Sequence, residues 1–540
     1  MKKAIGVIAG VVVVAGAAWA AGAWYTGERL EAVLRQRIDE GNARLQALLP
    51  GGKASLSLES LDRHLFSTDA RLQLRLRAAA VDGQPAGQED VVDIAAHIGH
   101  GPFPLERVKR GQLMPVMAAG TFALQENDTV RPWFALTQGA APLSGHAAIG
   151  YSQSVSGTVT LAPVKLARDG NVLDFSGLAL DFSQDADKRT RLDGAVDTLS
   201  FKTADAELPS QIEVTGITLA TDMRPGPADL QVGSNVLSAK RIAFTPANRA
   251  PVILTGYTQR TEASAGQGGL ALHGAYDVAM LNVAGQDVGQ IQVELGAKSL
   301  APEALKTLAT LYGRLWSRGM EQAQAAGGDS APPDLTPEEQ AQALAARQAL
   351  LAGNPNFYIN PILLKTPRGE ARFTLSLDLA DPGVADQPME ERIARTLRKL
   401  DARVSLAQPL LAALLSQSMQ RDGMDATAAD AQAQALSGVL AKAAADSGYA
   451  TVQGSDIVST LHYADRVVDL NGTKMPLEQF AGLVLQGAMG MMGQSEPDMD
   501  TPDDAPDAAE PDEDENGDQT PAPDTGTPPS TPRTKTAPGR

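Results

Sequence analysis

Hydrophobic and polar positions divide the chain into regimes of different period. From Ala4 to Tyr25 no side chain is charged, and Ile5, Val7, Ile8, Val11, Val12, Val13, Val14 and Trp19 make one oily run behind Lys2 and Lys3. As a helix, this stretch reaches about 33 Å, enough for a hydrocarbon core of roughly 30 Å. Trp24 and Tyr25 suit the distal interface and the two lysines the cytoplasmic one. The pattern predicts a single-pass anchor with the body exported. Ala18-Trp19-Ala20 also fits a signal-peptide cleavage pattern, although the run is longer than a usual h-region. Gly6 and Gly10 lie on one helical face and would let two such helices approach closely.

From Glu28 to Leu49 the period becomes helical. Leu30, Val33, Leu34, Ile38, Leu45, Leu48 and Leu49 recur at three- and four-residue spacing, and Pro50-Gly51-Gly52 ends the segment. Beyond Gly52 the period shortens to two. Ala70, Leu72, Leu74, Leu76 and Ala78 alternate with Arg71, Gln73, Arg75 and Arg77. Val92, Ile94, Ala96 and Ile98 form a similar face, and Val155 to Leu161 alternates likewise. Further short strands are expected around 172–182, 212–219, 237–244, 252–257, 270–278 and 291–295. Asp169-Gly170-Asn171 and Arg224-Pro225-Gly226 read as turns. One-sided alternation without crossover helices argues for a large, curved antiparallel sheet and against a doubly wound nucleotide-binding fold. Each apolar face could be a packed core or the floor of a lipid-holding trough, and periodicity alone does not separate them.

Helical spacing returns at Pro302 and again from Pro337 to Ala352. Strands are expected at 358–365 and 369–379, then a helix from Pro388 to Leu400 and a short strand at 403–406. Helices at 409–419 and 426–445 follow, then strands at 450–452, 457–463 and 467–470 with Asn471-Gly472 as a turn. A last helix is expected from Pro476 to Met492. The resulting expectation is an α+β protein whose helices are segregated in the distal half. Its divisions are 1–25 (cytoplasmic stub and anchor), 26–50 (juxtamembrane helix), 51–300 (β-rich periplasmic region), 301–353 (helical), 354–492 (α+β) and 493–540 (disordered acidic tail).

Charge sharpens this picture. The 540 residues carry a net charge of −18, and the stretch from Glu496 to Arg540, with thirteen acidic and three basic residues, supplies −10 of it. An acidic body with an acidic tail opposes a nucleic-acid binder, and the Pro/Asp/Glu/Thr composition of the tail predicts disorder. No cysteine is present, which removes disulfides, thiolate nucleophiles and cysteine-ligated metals.

Candidate chemistry is thin. His97 and His100 form an HxxH without the acidic residue of the usual metalloprotease helix, and His100 falls in a Gly/Pro context that reads as a loop. Ser144-Gly145-His146 offers a hydroxyl and a base, but no nucleophile elbow accompanies it and a solvated turn is the plainer reading. Gly266, Gly268 and Gly269 lack a phosphate-loop ending and read as a hairpin connection. Asp503-Asp504 and Asp512-Glu513-Asp514-Glu515 lie in the tail, where no fixed carboxylate separation can form. Arg71, Arg75 and Arg77 read as a solvated strand face. No catalytic, cofactor-binding or metal residue is expected, and no cofactor.

Several phrases together resemble a known family. Gly22-Ala23-Trp24-Tyr25-Thr26-Gly27 after the oily run, His64-Leu65-Phe66-Ser67-Thr68-Asp69-Ala70, Gly99-His100-Gly101-Pro102-Phe103-Pro104-Leu105, Thr366-Pro367-Arg368-Gly369-Glu370 and Leu470-Asn471-Gly472 are similar to the bacterial YdgA family, the domain-of-unknown-function 945 family. The resemblance runs from the anchor to about residue 490. It implies an inner-membrane protein facing the periplasm, homodimeric, with no established catalytic residue to carry over. Function is then expected to be that of a non-enzymatic envelope scaffold or assembly factor, with lipid or lipoprotein handling through an apolar groove as the alternative. The expected partners are a second copy, inner-membrane lipids through the anchor, and an envelope protein or lipid ligand.

Overall fold

Alternation becomes pairing almost everywhere beyond residue 52. The computed structural model describes residues 31–32, 34–36, 38–39, 42, 53–77, 90–109, 111–204, 210–247, 249–325, 334–383 and 389–482. Those up to Phe480 belong to one compact unit. The expected anchor at 4–25, its cleavage site and the acidic tail lie outside the described residues. Among the described residues no helix is long and apolar enough to cross a membrane.

The strands are β1 (Lys53–Arg63), β2 (Ser67–Arg77), β3 (Asp90–His100), β4 (Ala118–Leu124), β5 (Leu143–Ile149), β6 (Val155–Leu161), β7 (Val164–Arg168), β8 (Asn171–Phe175), β9 (Leu178–Gln184), β10 (Thr190–Thr203) and β11 (Ser210–Pro225). They continue as β12 (Gln231–Pro246), β13 (Val252–Gly266), β14 (Gly269–Val283), β15 (Gln286–Leu300), β16 (Asn356–Thr366), β17 (Gly369–Leu379), β18 (Leu397–Ala407), β19 (Thr451–Gln453), β20 (Asp456–Ala464), β21 (Val467–Leu470) and β22 (Thr473–Pro476). All belong to one sheet in which every pairing is antiparallel. The order is largely a meander in which successive strands hydrogen-bond to each other. β6–β7 and β8–β9 act as two interrupted strands, since β6 pairs β9 and β7 pairs β8. Both β8 and β9 then lie along β10. This is a large, open, mostly antiparallel sheet with a few helices, an α+β architecture.

The helices are excursions from the meander. α1 (Leu105–Lys109) and α2 (Arg131–Leu136) are single turns. α3 (Pro302–Ala325) and α4 (Pro337–Ala352) form a hairpin between β15 and β16. α4 starts from a capping box, Thr336 with Glu339, a reciprocal arrangement that satisfies two otherwise orphaned N–H groups. α5 (Met389–Thr396) precedes β18, and α6 (Gln408–Arg421) and α7 (Ala426–Asp446) form a second hairpin between β18 and β19. The core is divided accordingly. Leu305 of α3 and Leu350 of α4 close over Val232, Leu270, Ala297 and Leu300, while Val130 and Phe134 close over Leu124.

Four sequence expectations need correction. The helix expected from Pro388 to Leu400 stops at Thr396, and Leu397–Ala407 is a strand. There Leu397 and Leu400 pair with Leu379 and Leu377 on one side, and Leu400 with Tyr463 on the other, so a two-sided ladder outweighs local propensity. Ser144-Gly145-His146 is not a turn but lies within β5. His100 is not a loop residue: it ends β3 and is buried. The long strands also exceed the short runs expected, because β10 to β15 hold 14–16 residues each.

Candidate functional site

Register turns the one-dimensional alternation into rows. Residues paired across an antiparallel ladder project to the same side. One such row begins Leu58–Leu72–Ile94–Leu124 and continues through Leu143–Leu161–Leu178. It passes Val196–Ile217, then Ala239–Tyr257–Val278–Ile291–Leu364–Ala371–Leu406–Ile457. Every side chain in it from β1 to β20 is aliphatic except that of Tyr257. The row beside it on the same face is nearly as apolar: Ala70, Ala96, Phe122, Gly145, Val159, Leu180, Gly194, Leu219 and Leu237. With strands about 4.8 Å apart, this apolar face extends on the order of 75 Å.

The face is smoothed by glycines under aromatic rings. A Cβ on Gly145 would stand 2.5 Å from Cζ of Phe122, and one on Gly157 would stand 2.9 Å from Cζ of Phe182. Much of the face is half-buried rather than buried, Val196, Ile217, Leu219 and Leu180 among it. At the β1 end, the helical residues between 31 and 42 lie over it. Asn42 holds them there with two bonds to the edge strand, Nδ2 donating to the Leu56 carbonyl at 2.9 Å and Oδ1 accepting from the Leu56 N–H at 2.7 Å. Beneath Leu34 is an apolar cleft of about 230 Å³ lined by Leu56, Leu72, Ile94, Ile98, Phe122 and Ile149.

A second apolar band runs across the far ends of the strands. Leu166–Leu173–Phe201–Ile212–Phe244–Val252–Val283 form one row, and Val164–Phe175–Leu199–Val214–Ile242–Leu254–Leu281 the next. Leu166, Leu199, Phe201, Ile212 and Phe244 in this band are exposed.

The polar side carries the titratable groups. Asp69 and His97 are directly opposite on β2 and β3, with Nδ1 of His97 2.6 Å from Oδ1 of Asp69. That hydrogen bond holds the Asp69 carboxyl below the usual carboxylate range, against a small opposing effect of burial. His64 Nε2 lies 3.5 Å from its other oxygen. Asp69 and His97 line an open cleft of about 670 Å³ together with Arg71, Thr121, Ser144 and His146. Asp401 and His462 repeat the arrangement on β18 and β20, again 2.6 Å apart, in a cleft of about 610 Å³. Burial pushes the Asp401 carboxyl up, but bonds from Lys399 and His462 outweigh it and hold the group low. His273 stacks on Tyr358 in the same cleft and bonds its hydroxyl at 3.1 Å.

Three of the sequence candidates, His97, Ser144 and His146, come together in the first of these clefts. His97 is exposed on its strand and His100, three residues on, is buried beside Gly99 and Pro104; both also line a smaller cavity of about 270 Å³. Ser144 and His146 do share a cleft, but no hydrogen bond joins them among the described residues. Arg71 and Arg75 are exposed on their strand. Gly266 and Gly269 pair at the β13–β14 hairpin. The acidic pairs at 503–504 and 512–515 lie outside the described residues. Among the described residues no group of three acidic or histidine side chains is arranged to hold a metal. The two Asp–His pairs escape sequence reasoning because each joins residues far apart in the chain.

The geometry defines a class: a long, open antiparallel sheet, apolar along one face and hydrogen-bonding along the other. Within it, residues 1–478 match the family described as "Bacterial protein of unknown function (DUF945)", and the chain belongs to that family. It is 27% identical to "Protein YdgA" of Escherichia coli (strain K12), over 91% of this chain and 98% of that protein. It is 22% identical to "Uncharacterized protein YihF" of the same strain, over 89% of this chain and 98% of that one. A Haemophilus influenzae "Uncharacterized protein" is 26% identical over 32% of this chain and 46% of its own length. No solved structure matches the chain.

Proposed function

We propose that this protein binds lipid acyl chains along the apolar face of its sheet and passes them across the space beside the bacterial inner membrane, to which residues 4–25 tether it. The observation that carries this reading is the cross-strand row from Leu58 to Ile457, aliphatic or aromatic at every position. Leu124, Ala239 and Val278 of this row are buried, whereas Val196 and Ile217, with Leu180 and Leu219 beside them, are half-exposed, and a contiguous apolar patch left to water marks an interaction site. Hydrocarbon suits it, because a flexible chain needs only continuous apolar contact, worth about 0.8 kcal/mol per buried methylene. The body would lie in the periplasm. Native mass spectrometry of the full-length protein, extracted from membranes in mild detergent, tests the idea. Bound phospholipid that is lost when Leu219 is replaced by Glu supports it; a lipid-free spectrum, with no photocrosslinking of diazirine phospholipid to the sheet, refutes it.

The exposed band across β7 to β14 favours a second reading, an envelope scaffold built from two copies. A self-complementary apolar strip is suited to a twofold interface. Ile212→Cys in this cysteine-free chain would then form a covalent dimer under mild oxidation in intact membranes. Only monomer under those conditions removes the reading.

A further inference from the structure

The geometry points to a bilayer-contacting tip at one end of the sheet, an inference that rests on the placement of residues 4–25 in the membrane. The β1–β2 turn and the segment between β3 and β4 present Leu65, Phe66, Phe103, Leu105, Leu113 and Met114, all exposed, with Leu105 at 61%, Leu113 at 66% and Met114 at 76%. The two segments are fastened to each other and to the sheet. The His100 N–H donates to the Phe66 carbonyl at 3.0 Å, Gly101 to Met117 at 3.2 Å, and Val116 to Pro102 at 3.2 Å. The apolar tips are therefore held in a fixed array over a buried base that includes His100, and they do not collapse onto the sheet.

Two observations select a bilayer as the occupant. The first is the course of the chain. The N-terminal helical residues are clamped at Asn42 to Leu56, and Leu34, two turns earlier, sits among Ile98, Ala118 and Ile149. Ile98 and Ala118 belong to the rows nearest this tip, so the helical residues run towards it with Glu31 on that side. Six residue steps separate Glu31 from Tyr25, at most about 20 Å of extended chain. A bilayer holding residues 4–25 must lie within that reach. The second is charge. Arg63 ends β1 and Arg107 and Lys109 lie on α1, in the same two segments as the apolar residues, with Asp62 beside Arg63 and Glu106 as a counter-charge to Lys109 at 2.9 Å. Exposed apolar residues with a small excess of basic ones in the same segments suit the boundary between anionic headgroups and acyl chains. The same end is also the end at which the apolar cleft beneath Leu34 opens its rows, so a chain drawn from the leaflet meets the sheet there.

The test uses the full-length protein in vesicles of phosphatidylethanolamine and phosphatidylglycerol. Because the chain has no cysteine, single substitutions Leu65→Cys, Leu113→Cys, Met114→Cys, Ile212→Cys and Val12→Cys each carry one environment-sensitive fluorophore. The expected result is a blue shift and loss of fluorescence to headgroup-proximal doxyl lipid at 65, 113 and 114. The label at 12 should be quenched by deep doxyl lipid and the label at 212, at the opposite strand ends, by neither. Labels at 113 and 114 that stay in water while the label at 12 is quenched overturn the tip and leave the tether intact. A blue shift at 113 and 114 that doxyl lipid does not quench means a protein neighbour and equally overturns it. An unquenched label at 12 removes the tether and the tip with it, whereas lipid bound to the sheet is read separately by mass spectrometry.

Discussion

A single glutamate placed on the apolar face tests the lipid reading most directly. Leu219 lies on β11 between Gly194 and Leu237 and is half-buried; its neighbour Thr218 is exposed on the polar side, opposite Ser238. Leu219→Glu therefore puts a carboxylate in the path of a bound chain, and Thr218→Glu puts the same charge one residue away on the other face. In the lipid-free protein the glutamate at 219 keeps access to water, so the fold survives. With a chain bound, contact with at least two methylenes is lost. At about 0.8 kcal/mol each, that is roughly 1.6 kcal/mol, or a dissociation constant more than tenfold weaker. Desolvation of the carboxylate adds to this figure. The assay is titration of a fluorescent fatty-acyl probe into both variants, with urea unfolding as the check on folding. Equal affinities for Leu219→Glu and Thr218→Glu, both folded, refute the lipid reading, because face specificity is its whole content.

Smaller perturbations follow from local geometry. Gly145→Ala brings a Cβ to 2.3 Å from the Thr158 carbonyl oxygen and 2.5 Å from the Phe122 ring, so urea unfolding should show a loss of about 1–3 kcal/mol. Thr336→Ala removes the oxygen that accepts from the Glu339 N–H and should cost about 1 kcal/mol, seen as reduced helicity at α4 in hydrogen exchange. Asp69→Asn should change stability by under about 1 kcal/mol, since the pair with His97 is exposed, and should leave acyl-probe affinity untouched. The pH profile has a definite sign: the Asp69 carboxyl is depressed in the folded protein, so its contribution is present above the ordinary carboxylate pKa of about 3.9. That contribution is lost as pH falls through the lower folded value. Comparing the acid limbs of wild-type and Asp69→Asn unfolding curves measures it.

How much of the fold is legible in the sequence depends on whether the deciding contact is local. β17 and α4 are legible to the residue: Phe373, Leu375 and Leu377 alternate cleanly, and Pro337 opens a helix that Gly353 follows. β4 and β5 are not legible as strands. Their sequences, Ala-Ala-Gly-Thr-Phe-Ala-Leu and Leu-Ser-Gly-His-Ala-Ala-Ile, are poor in branched residues. What makes them strands is Phe122 lying over Gly145, a complementarity visible only once register is known. β18 is hidden for the same reason, its leucines being satisfied by two partner strands. The site is half visible. Alternation announces an apolar face at many strands, but only register shows that these faces line up into an uninterrupted row. Asp69–His97 and Asp401–His462 are separated by 28 and 61 residues, so no motif search brings either pair together.

The edges of the sheet show which surface the fold protects and which it leaves open. An exposed edge strand is a template for pairing with another chain. At β1, Asn42 occupies both the N–H and the carbonyl of Leu56 with its side-chain amide, imitating a neighbouring strand. At the other end the sheet tapers to β21 and β22, four residues each. Both devices suppress edge-to-edge growth. Among the described residues no comparable device covers Val196, Ile217, Leu219 or Leu180 on the apolar face, where partial exposure to water carries a cost along many strands at once. On the proposed reading, a chain that blocks its edges and leaves its oily face half-open takes an occupant that approaches from above rather than from the side. A hydrocarbon chain does so without competing for backbone hydrogen bonds. The prediction that separates this from β-addition is that Asn42→Ala should promote oligomers through β1 while leaving acyl-probe affinity on the sheet within about twofold, a shift of only ~0.4 kcal/mol. Size-exclusion chromatography with light scattering and the same titration read the two effects independently, and oligomers formed together with a loss of acyl-probe affinity would mean that edge and face are one surface.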